Sequence, residues 1–257
     1  MTMAAAQTDA SPKTRPCPIC GHVETRFFTE KNNYTFLKCP SCELCFIHPV
    51  PTPEDLAPLY NQQGAPKDGL RYPYNKVEHR RKRAKVRAGR FKKYFMGKDA
   101  IDIGCGGGYM VDAMQKMGAN RAFGIDLDPE AMEFARKNHD PRATYYCEAI
   151  DDFIKRGMTF DFGHSSQVIE HVGDFNAFVA GWASLVKPGG YFFLKTPDRR
   201  HWLHGEKPET WPNPPEYTQY FSRKNIRILF EKHGFEVQKI FFNIKPTMEI
   251  LARRKEK

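Results

Sequence analysis

Between residues 77 and 255, short apolar runs alternate with stretches in which apolar residues recur every three or four positions. The runs Ala100 to Ile103, Ala122 to Ile125, Thr144 to Cys147, Phe160 to His164 and Tyr191 to Thr196 have the length and β-branched or aromatic content of buried strands. Val77, Ala84, Ala88, Phe91 and Phe95 form one stripe of a helix spanning about 75 to 95, and Met110, Val111, Met114 and Met117 form the stripe of another. Asp128-Pro129-Glu130 opens a third helix with an N-cap and a proline at the first helical position; residues 174 to 185 make a fourth, and Ser222 can cap a fifth. Val186 to Gly190 reads as the turn into the Tyr191 strand. Phe235 to Asn243 and Thr247 to Arg253 follow one another through a turn at Lys245-Pro246, which predicts a closing antiparallel hairpin. Strand and helix in alternation predict an α/β sheet.

Outside this alternation the pattern weakens. Residues 1–15 are small and polar and are expected to be a disordered tail. Residues 49–75 hold six prolines and read as a linker with one short helix around Glu54 to Tyr60. Asp198 to Phe221 is a long connection without periodicity that carries Trp202, Trp211, His201, His204, Tyr217 and Tyr220, and a connection of this length in a compact domain is commonly functional. It is read as a substrate lid.

Composition changes the picture at two places. Of seven cysteines, four form two C-x2-C pairs, Cys17/Cys20 and Cys39/Cys42, with 18 residues between them and β-like residues at Val23 to Thr29 and Tyr34 to Lys38. That spacing predicts a zinc ribbon over 16–48 with four thiolate ligands, stabilised by metal because so short a segment lacks a core. Cys45, His22 and His48 are spare donors, Cys45 being read as a small buried hydrophobe. The net charge of +10 is concentrated: Lys76 to Lys93 holds ten Lys or Arg against one Glu, and Arg253 to Lys257 adds an excess of three. A basic stripe suits nucleic acid or another anionic partner, and it equally suits a solvated helix face opposite the apolar stripe. No apolar run approaches the roughly 20 residues of a membrane span, and neither a basic start nor a long apolar segment marks the N-terminus, so a cytoplasmic protein in a reducing compartment is expected.

The candidate chemistry centres on AIDIGCGGGYM, Ala100 to Met110. Gly104, Gly106 and Gly108 let the chain bend tightly between strand and helix and approach a ligand across the strand end. Tyr109 stands where a dinucleotide site would want Gly or Ala, so no diphosphate is required. The pattern is D-x-G-x-G-x-G with Asp102 inside the strand, and Asp126 ends the next strand where a carboxylate would accept both ribose hydroxyls.

Asp102 to Gly108 with FGIDLDPE resembles the first two motifs of class I S-adenosylmethionine-dependent methyltransferases, and FDFGHSSQVIEHV and LVKPGGYFFLKTP resemble the fourth-strand and fifth-strand motifs in the same order. The resemblance covers roughly residues 72 to 255. It implies a Rossmann-like seven-stranded methyltransferase sheet over 76–257 behind the small zinc ribbon, with S-adenosylmethionine lying against Asp102, Gly104, Cys105, Gly106, Gly108, Asp126 and Leu127. It places the adenine near Glu148, Ala149 and Ile150, and the methyl end near Ser165, Ser166 and Gln167, with Tyr72 or Tyr74 reaching the cofactor carboxylate. Many relatives carry Asp or Ser where this chain has Ala149, so Asp151 or backbone groups would hold the adenine amino group. The ribbon, CFIHPVPTPEDL and a tyrosine-bearing linker are similar to a bacterial subgroup acting on sugars and other small metabolites, which carries glycine where this chain has Glu43.

His171, after the strand that presents the methyl group, is the first candidate for a general base toward an acceptor hydroxyl; it serves equally as a histidine that orients its loop. His204 and His201 are the alternatives. Three functions fit the sequence: an O- or C-methyltransferase of a small metabolite such as a sugar, lipid head group or natural product, an RNA methyltransferase using ribbon and basic helix, and a non-catalytic binding module. The aromatic lid favours the first, since RNA enzymes rely on a broader basic surface.

Overall fold

A computed structural model describes residues 15–51, 74–201, 214 and 216–256. The expected tail, the linker helix near 54–60, Tyr72, Trp202, His204 and Trp211 lie outside the described residues.

The cysteine-bearing segment folds first in chain order. β1 (Arg26–Lys31) and β2 (Tyr34–Lys38) form a hairpin whose two turn residues, Asn32 and Asn33, sit in the left-handed region with φ of 50° and 64°, a conformation asparagine tolerates and right-twisted hairpins favour. β3 (Cys45–Ile47) adds antiparallel to β2. After the linker come α1 (Val77–Phe95), burying Ala84, Ala88, Phe91 and Phe95, then β4 (Asp99–Ile103), α2 (Tyr109–Lys116) and β5 (Arg121–Asp126). α3 (Pro129–Asn138) starts at Asp128, whose carboxylate accepts from Glu130 and Ala131 N–H. β6 (Thr144–Cys147), α4 (Ile150–Ile154), β7 (Phe160–Ser166), a 3₁₀ turn (Ile169–His171), α5 (Phe175–Leu185), β8 (Val186–Pro197) and β9 (Gln219–Tyr220) follow. α6 (Arg223–Lys232) is held by a capping box between Ser222 and Asn225, and β10 (Phe235–Phe241) and β11 (Thr247–Arg254) close the chain.

Seven strands make one sheet in the order β10-β11-β8-β7-β4-β5-β6, parallel from β8 to β6 and antiparallel at β10 and β11. The first crossover runs β4-α2-β5 and the chain then moves outward to β6 before returning to β7 on the other side of β4. The strand order therefore reverses at β4, the place where open α/β sheets bind ligands at the carboxyl ends of their strands. The expected turn at Val186 to Gly190 is a correction: β8 already pairs at Phe160↔Val186, and the register then slips before Phe162↔Tyr191. Pro188, Gly189 and Gly190 form an irregularity inside the strand, Gly189 at φ 78°, because a proline-glycine segment can bulge out of a ladder without ending it.

The ribbon differs from expectation in its attachment. Its sheet is completed by β9, the end of the stretch read as a lid, through Cys45↔Tyr220 and Phe46↔Gln219, so Tyr220 is a strand residue of the ribbon sheet rather than part of a lid. Ile19, Leu37, Leu44 and Phe46 belong to the same buried cluster as Trp182, Phe221 and Phe230 of the large sheet's outer layer. Each such side chain contributes about 1.5 to 3 kcal/mol on burial. Polar contacts cross the same boundary, with Asn225 donating to the Cys42 carbonyl at 3.3 Å and Asn176 to that of Pro18 at 2.9 Å.

Candidate active site

The glycine turn after β4 is forced by close packing. Gly104, Gly106 and Gly108 all have positive φ, and a Cβ on Gly104 would lie 2.3 Å from a Val168 methyl, one on Gly108 2.6 Å from the Tyr145 ring. The Gly104 and Cys105 N–H groups donate to the Ile125 carbonyl. Gly106 N–H donates to one oxygen of Asp126 at 2.7 Å, and Asp128 N–H to the other at 3.0 Å. Burial pushes the Asp126 carboxyl upward, the two backbone donors opposing it. An ionised carboxylate has roughly four acceptor sites, so two of Asp126 remain for a ligand. Cys105 donates its backbone N–H within this turn and its thiol faces the Gly106 carbonyl at 3.8 Å. Its Sγ turns inward to Met132 at 4.0 Å, and burial holds the thiol protonated.

Asp102 is buried and committed within the protein: its Oδ1 lies 2.6 Å from His164 Nδ1, the two residues being register partners across β4 and β7. His164 stacks on Phe193 with the rings 11° from parallel. His139 Nε2 donates to the Gly107 carbonyl at 2.7 Å and braces the turn from behind; burial lowers its pKa, so the ring is neutral.

Along the same sheet edge, Leu127 after β5 is 72% exposed, and Ala149 and Ile150 cap and open α4 after β6. Ser165 and Ser166 end β7, and Gln167 follows with φ of 60°, its N–H donating to the Lys195 carbonyl at 2.8 Å. A non-glycine residue in that region stores strain that the surroundings must impose. All of these predicted residues thus meet at the carboxyl ends of β4 to β7. Tyr74 does not join them: its ring packs edge-on against Phe134 of α3.

His171 ends the 3₁₀ turn that follows. Its Nδ1 lies 2.6 Å from the Glu216 carbonyl and its ring 4.6 Å from that of Tyr217. A carbonyl only accepts, so Nδ1 carries the proton and Nε2 the lone pair. Burial lowers the pKa of His171, keeping it neutral. The adjacent Glu170 is fully buried, accepts from the Thr196 hydroxyl at 3.0 Å and has, among the described residues, no hydrogen-bond partner for Oε1; burial raises its pKa to about 8, so it is protonated at neutral pH. His201 is buried elsewhere, Nε2 donating to the Asn243 carbonyl at 2.8 Å in the β10–β11 turn. That nitrogen is therefore not the base the sequence offered.

The four predicted cysteines come together. Their Sγ atoms lie within 4.8 Å of one another, Cys17 and Cys42 at 3.4 Å and Cys20 and Cys39 at 3.6 Å, and Cys42 N–H points at Cys39 Sγ. A tetrahedral zinc with Zn–S of about 2.3 Å sets sulfurs roughly 3.8 Å apart, so the donor set and its spacing fit that ion. Cys45 stays outside in a separate apolar cluster with Phe36, Ile47 and Tyr220.

The family described as "Methyltransferase domain" matches residues 75–240, more than half of the chain. The chain is a class I S-adenosylmethionine-dependent methyltransferase. A stretch of 107 residues is 35% identical to the ubiquinone biosynthesis O-methyltransferase of Coxiella burnetii, covering 40% of this chain and 45% of that protein, so the match spans less than half the relative's length. The methyltransferase also shares its fold with magnesium protoporphyrin IX methyltransferase from Synechocystis (TM-score 0.56, 16% identity, 70% of this chain and 88% of that one). The same holds for an S-adenosylmethionine-dependent methyltransferase from Listeria monocytogenes (TM-score 0.52, 20% identity, 68% and 100%).

Four residues of the methyltransferase were not singled out from sequence: His164, His139, Arg87 and Lys195. His164 lies inside a quoted motif, and its pairing with Asp102 follows once β7 is set beside β4. Arg87 was one of ten indistinguishable cations; the helical stripe of Ala84, Ala88 and Phe91 places it at the margin of the buried face, which is the signal available.

Proposed function

We propose that this methyltransferase methylates a hydroxyl oxygen of a small metabolite, with His171 as the general base. The observation that carries the reading is the Nδ1–H of His171 held by the Glu216 carbonyl, which leaves Nε2 as a neutral acceptor on the edge that carries the glycine turn and Gln167. S-adenosylmethionine, when bound, supplies an electrophilic methyl group. The chain's own contributions are to seat the ribose on the free acceptor sites of Asp126, to lay backbone from Gly104 to Gly108 along the methionine portion and to flank the adenine with Leu127, Ala149 and Ile150. His171 Nε2 would take the proton of the acceptor hydroxyl as that oxygen is methylated, and alignment with exclusion of water would supply the rest.

The relatives' printed activity, O-methylation, supports oxygen as the acceptor atom. The basic helix gives less support to RNA than its composition suggests, because its cations are partly committed: Arg80 bonds to Asn75, Arg81 to Glu78 and Asn138, and Arg90 to Glu249. We further infer that the four cysteines hold a structural zinc, and that the ribbon, the linker and the 76–257 unit work as one cytoplasmic protein. Labelled methyl transfer from S-adenosylmethionine into a fractionated extract tests the acceptor class. The expected result is label in small hydroxylated metabolites; label confined to RNA would overturn it.

A further inference from the structure

The face of the large sheet that packs on α1 is apolar through Phe91, Phe162, Phe193 and Leu251, yet at its carboxyl end it carries charge. Lys195 on β8 and Glu249 on β11 are both more than nine-tenths buried, and Arg87 and Arg90 reach over from α1. Glu249 is shared, lying 2.6 Å from Arg90 and 3.4 Å from Lys195. Asp102 is taken by His164. Arg87 is left with one hydrogen bond among the described residues, to the Ser166 hydroxyl at 3.3 Å, and with the face of Phe193 at 6.0 Å. Three cations thus face two carboxylates, and Arg83, one turn back along α1, adds a fourth cation to the field that Arg87 feels.

Desolvation pulls both Arg87 and Lys195 below their usual values and the neighbouring cations pull the same way, with the Glu249 carboxylate opposing the shift at each. Arg87 is half-buried and offers five donors to one neutral acceptor among the described residues, while Glu249, whose charge it also feels, is shared with Arg90 and Lys195, so a further oxyanion would complete the set. The place is specific: Ser166, which Arg87 bonds, is the last residue of β7, and the backbone carbonyl of Lys195 accepts the Gln167 N–H, so both residues stand beside the strained position at the rim of the site.

We propose that Arg87 and Lys195 form an anion seat at the rim of the active site and that the acceptor carries a carboxylate or phosphate which docks there. This rests on the small-metabolite reading and narrows it to anionic acceptors. A planar guanidinium beside an ammonium matches an oxyanion in shape and charge, and the seat would fix the acceptor's orientation while taking no part in the proton transfer.

The test is calorimetric titration of inorganic phosphate into the full chain saturated with S-adenosylhomocysteine. Wild type is expected to bind phosphate. Arg87→Gln and Lys195→Gln should each weaken binding by more than about tenfold, Arg87→Lys should recover part of the loss, and Lys85→Gln, on the exposed side of α1, should change nothing. Circular dichroism and thermal melts confirm that the variants fold, and Arg87→Lys, which keeps the charge, serves where Arg87→Gln does not. Phosphate binding that is abolished by S-adenosylhomocysteine, with nucleoside affinity falling in both variants, would assign the cations to the donor's own carboxylate and overturn the proposal. Phosphate binding that is absent from wild type or unchanged in the variants would overturn it as well. The phosphate titration reads the seat whatever the extract experiment says of the acceptor class, so the two failures are separable.

Discussion

The two sheets of this protein are stabilised by different means. The seven-stranded sheet buries large side chains against both faces, Trp182, Phe192 and Phe230 on one and Phe91, Phe162 and Phe193 on the other, and the ribbon's Ile19, Leu37, Leu44 and Phe46 join the first of these clusters. The four-stranded ribbon sheet is short, no residue of its edge strand β1 is buried, and the four clustered cysteines lie in the segments before β1 and after β2. It has one strand, β9, that it does not own. That strand is the informative difference: the segment joining β9 to the active site also carries Glu216, which holds His171, and Thr218, whose N–H donates to the Glu170 carbonyl while Ile47 N–H donates to its own. The ribbon thus braces the turn that carries Glu170 and His171.

The largest effect that can break this comparison is loss of the metal. Zinc in isolated ribbon-like peptides is worth on the order of 10 to 16 kcal/mol, so Cys39→Ser or chelation should release zinc and expose β1 to β3 to hydrogen exchange while the amides of β4, β7 and β8 stay protected. Equal loss of protection in both sheets would show that the ribbon is not a separately held layer. Elemental analysis should return one zinc per chain.

Next in size is Glu170. Its carboxyl rises from an ordinary value to about 8 on folding. The folded state therefore holds a proton that the unfolded chain gives up near pH 4.5, and stability falls as pH rises through the interval between the two. Glu170→Gln should remove that slope and stabilise the protein at pH 8 to 9 by on the order of 3 kcal/mol. Denaturant melts at pH 6 and pH 9 measure it, and an unchanged slope would show that another group titrates.

Most of this architecture was legible before the structure. The alternation of strands and helices followed from the apolar pattern and the seven-stranded sheet from the family resemblance, the Asp128 and Ser222 caps from local chemistry, and the four clustered cysteines from spacing alone. What was not legible is what joins segments far apart in sequence. The β9 pairing spans 175 residues between Cys45 and Tyr220, and two residues of strand carry no periodicity to read. Glu43 shows the same limit. It sits at φ 67°, where the similar subgroup carries glycine, and its carboxylate reaches Arg200 at 2.8 Å and Arg199 at 3.7 Å. Only the fold shows that this departure from glycine links the ribbon to the start of the lid.

Two smaller effects sharpen the contrast. Asp126→Ala should weaken S-adenosylhomocysteine binding by roughly 1.5 to 3 kcal/mol, the range for hydrogen bonds to a charged group, with zinc content and melting temperature nearly unchanged; calorimetry showing full affinity would remove Asp126 as the ribose ligand. Glu43→Gly relieves the left-handed backbone but deletes a partly exposed pair with Arg200 and a longer one with the buried Arg199, opposed terms that should leave a net loss of about 1 kcal/mol. A loss above about 2 kcal/mol in denaturant melts would make the Glu43–Arg200 pair a principal tie between the sheets.

The central claim is that His171 removes the acceptor proton, and the pH dependence of methyl transfer tests it most directly. Turnover of labelled S-adenosylmethionine into the small-molecule fraction should be measured from about pH 5 to pH 9 for wild type and His171→Ala. Burial keeps His171 unprotonated to lower pH than free imidazole, so the wild-type rate should be flat at neutrality and fall only below about pH 6.5. His171→Ala should lose about 10²-fold at neutral pH, with cofactor affinity intact and the deficit shrinking as pH rises. A variant with full turnover across that range would contradict the account.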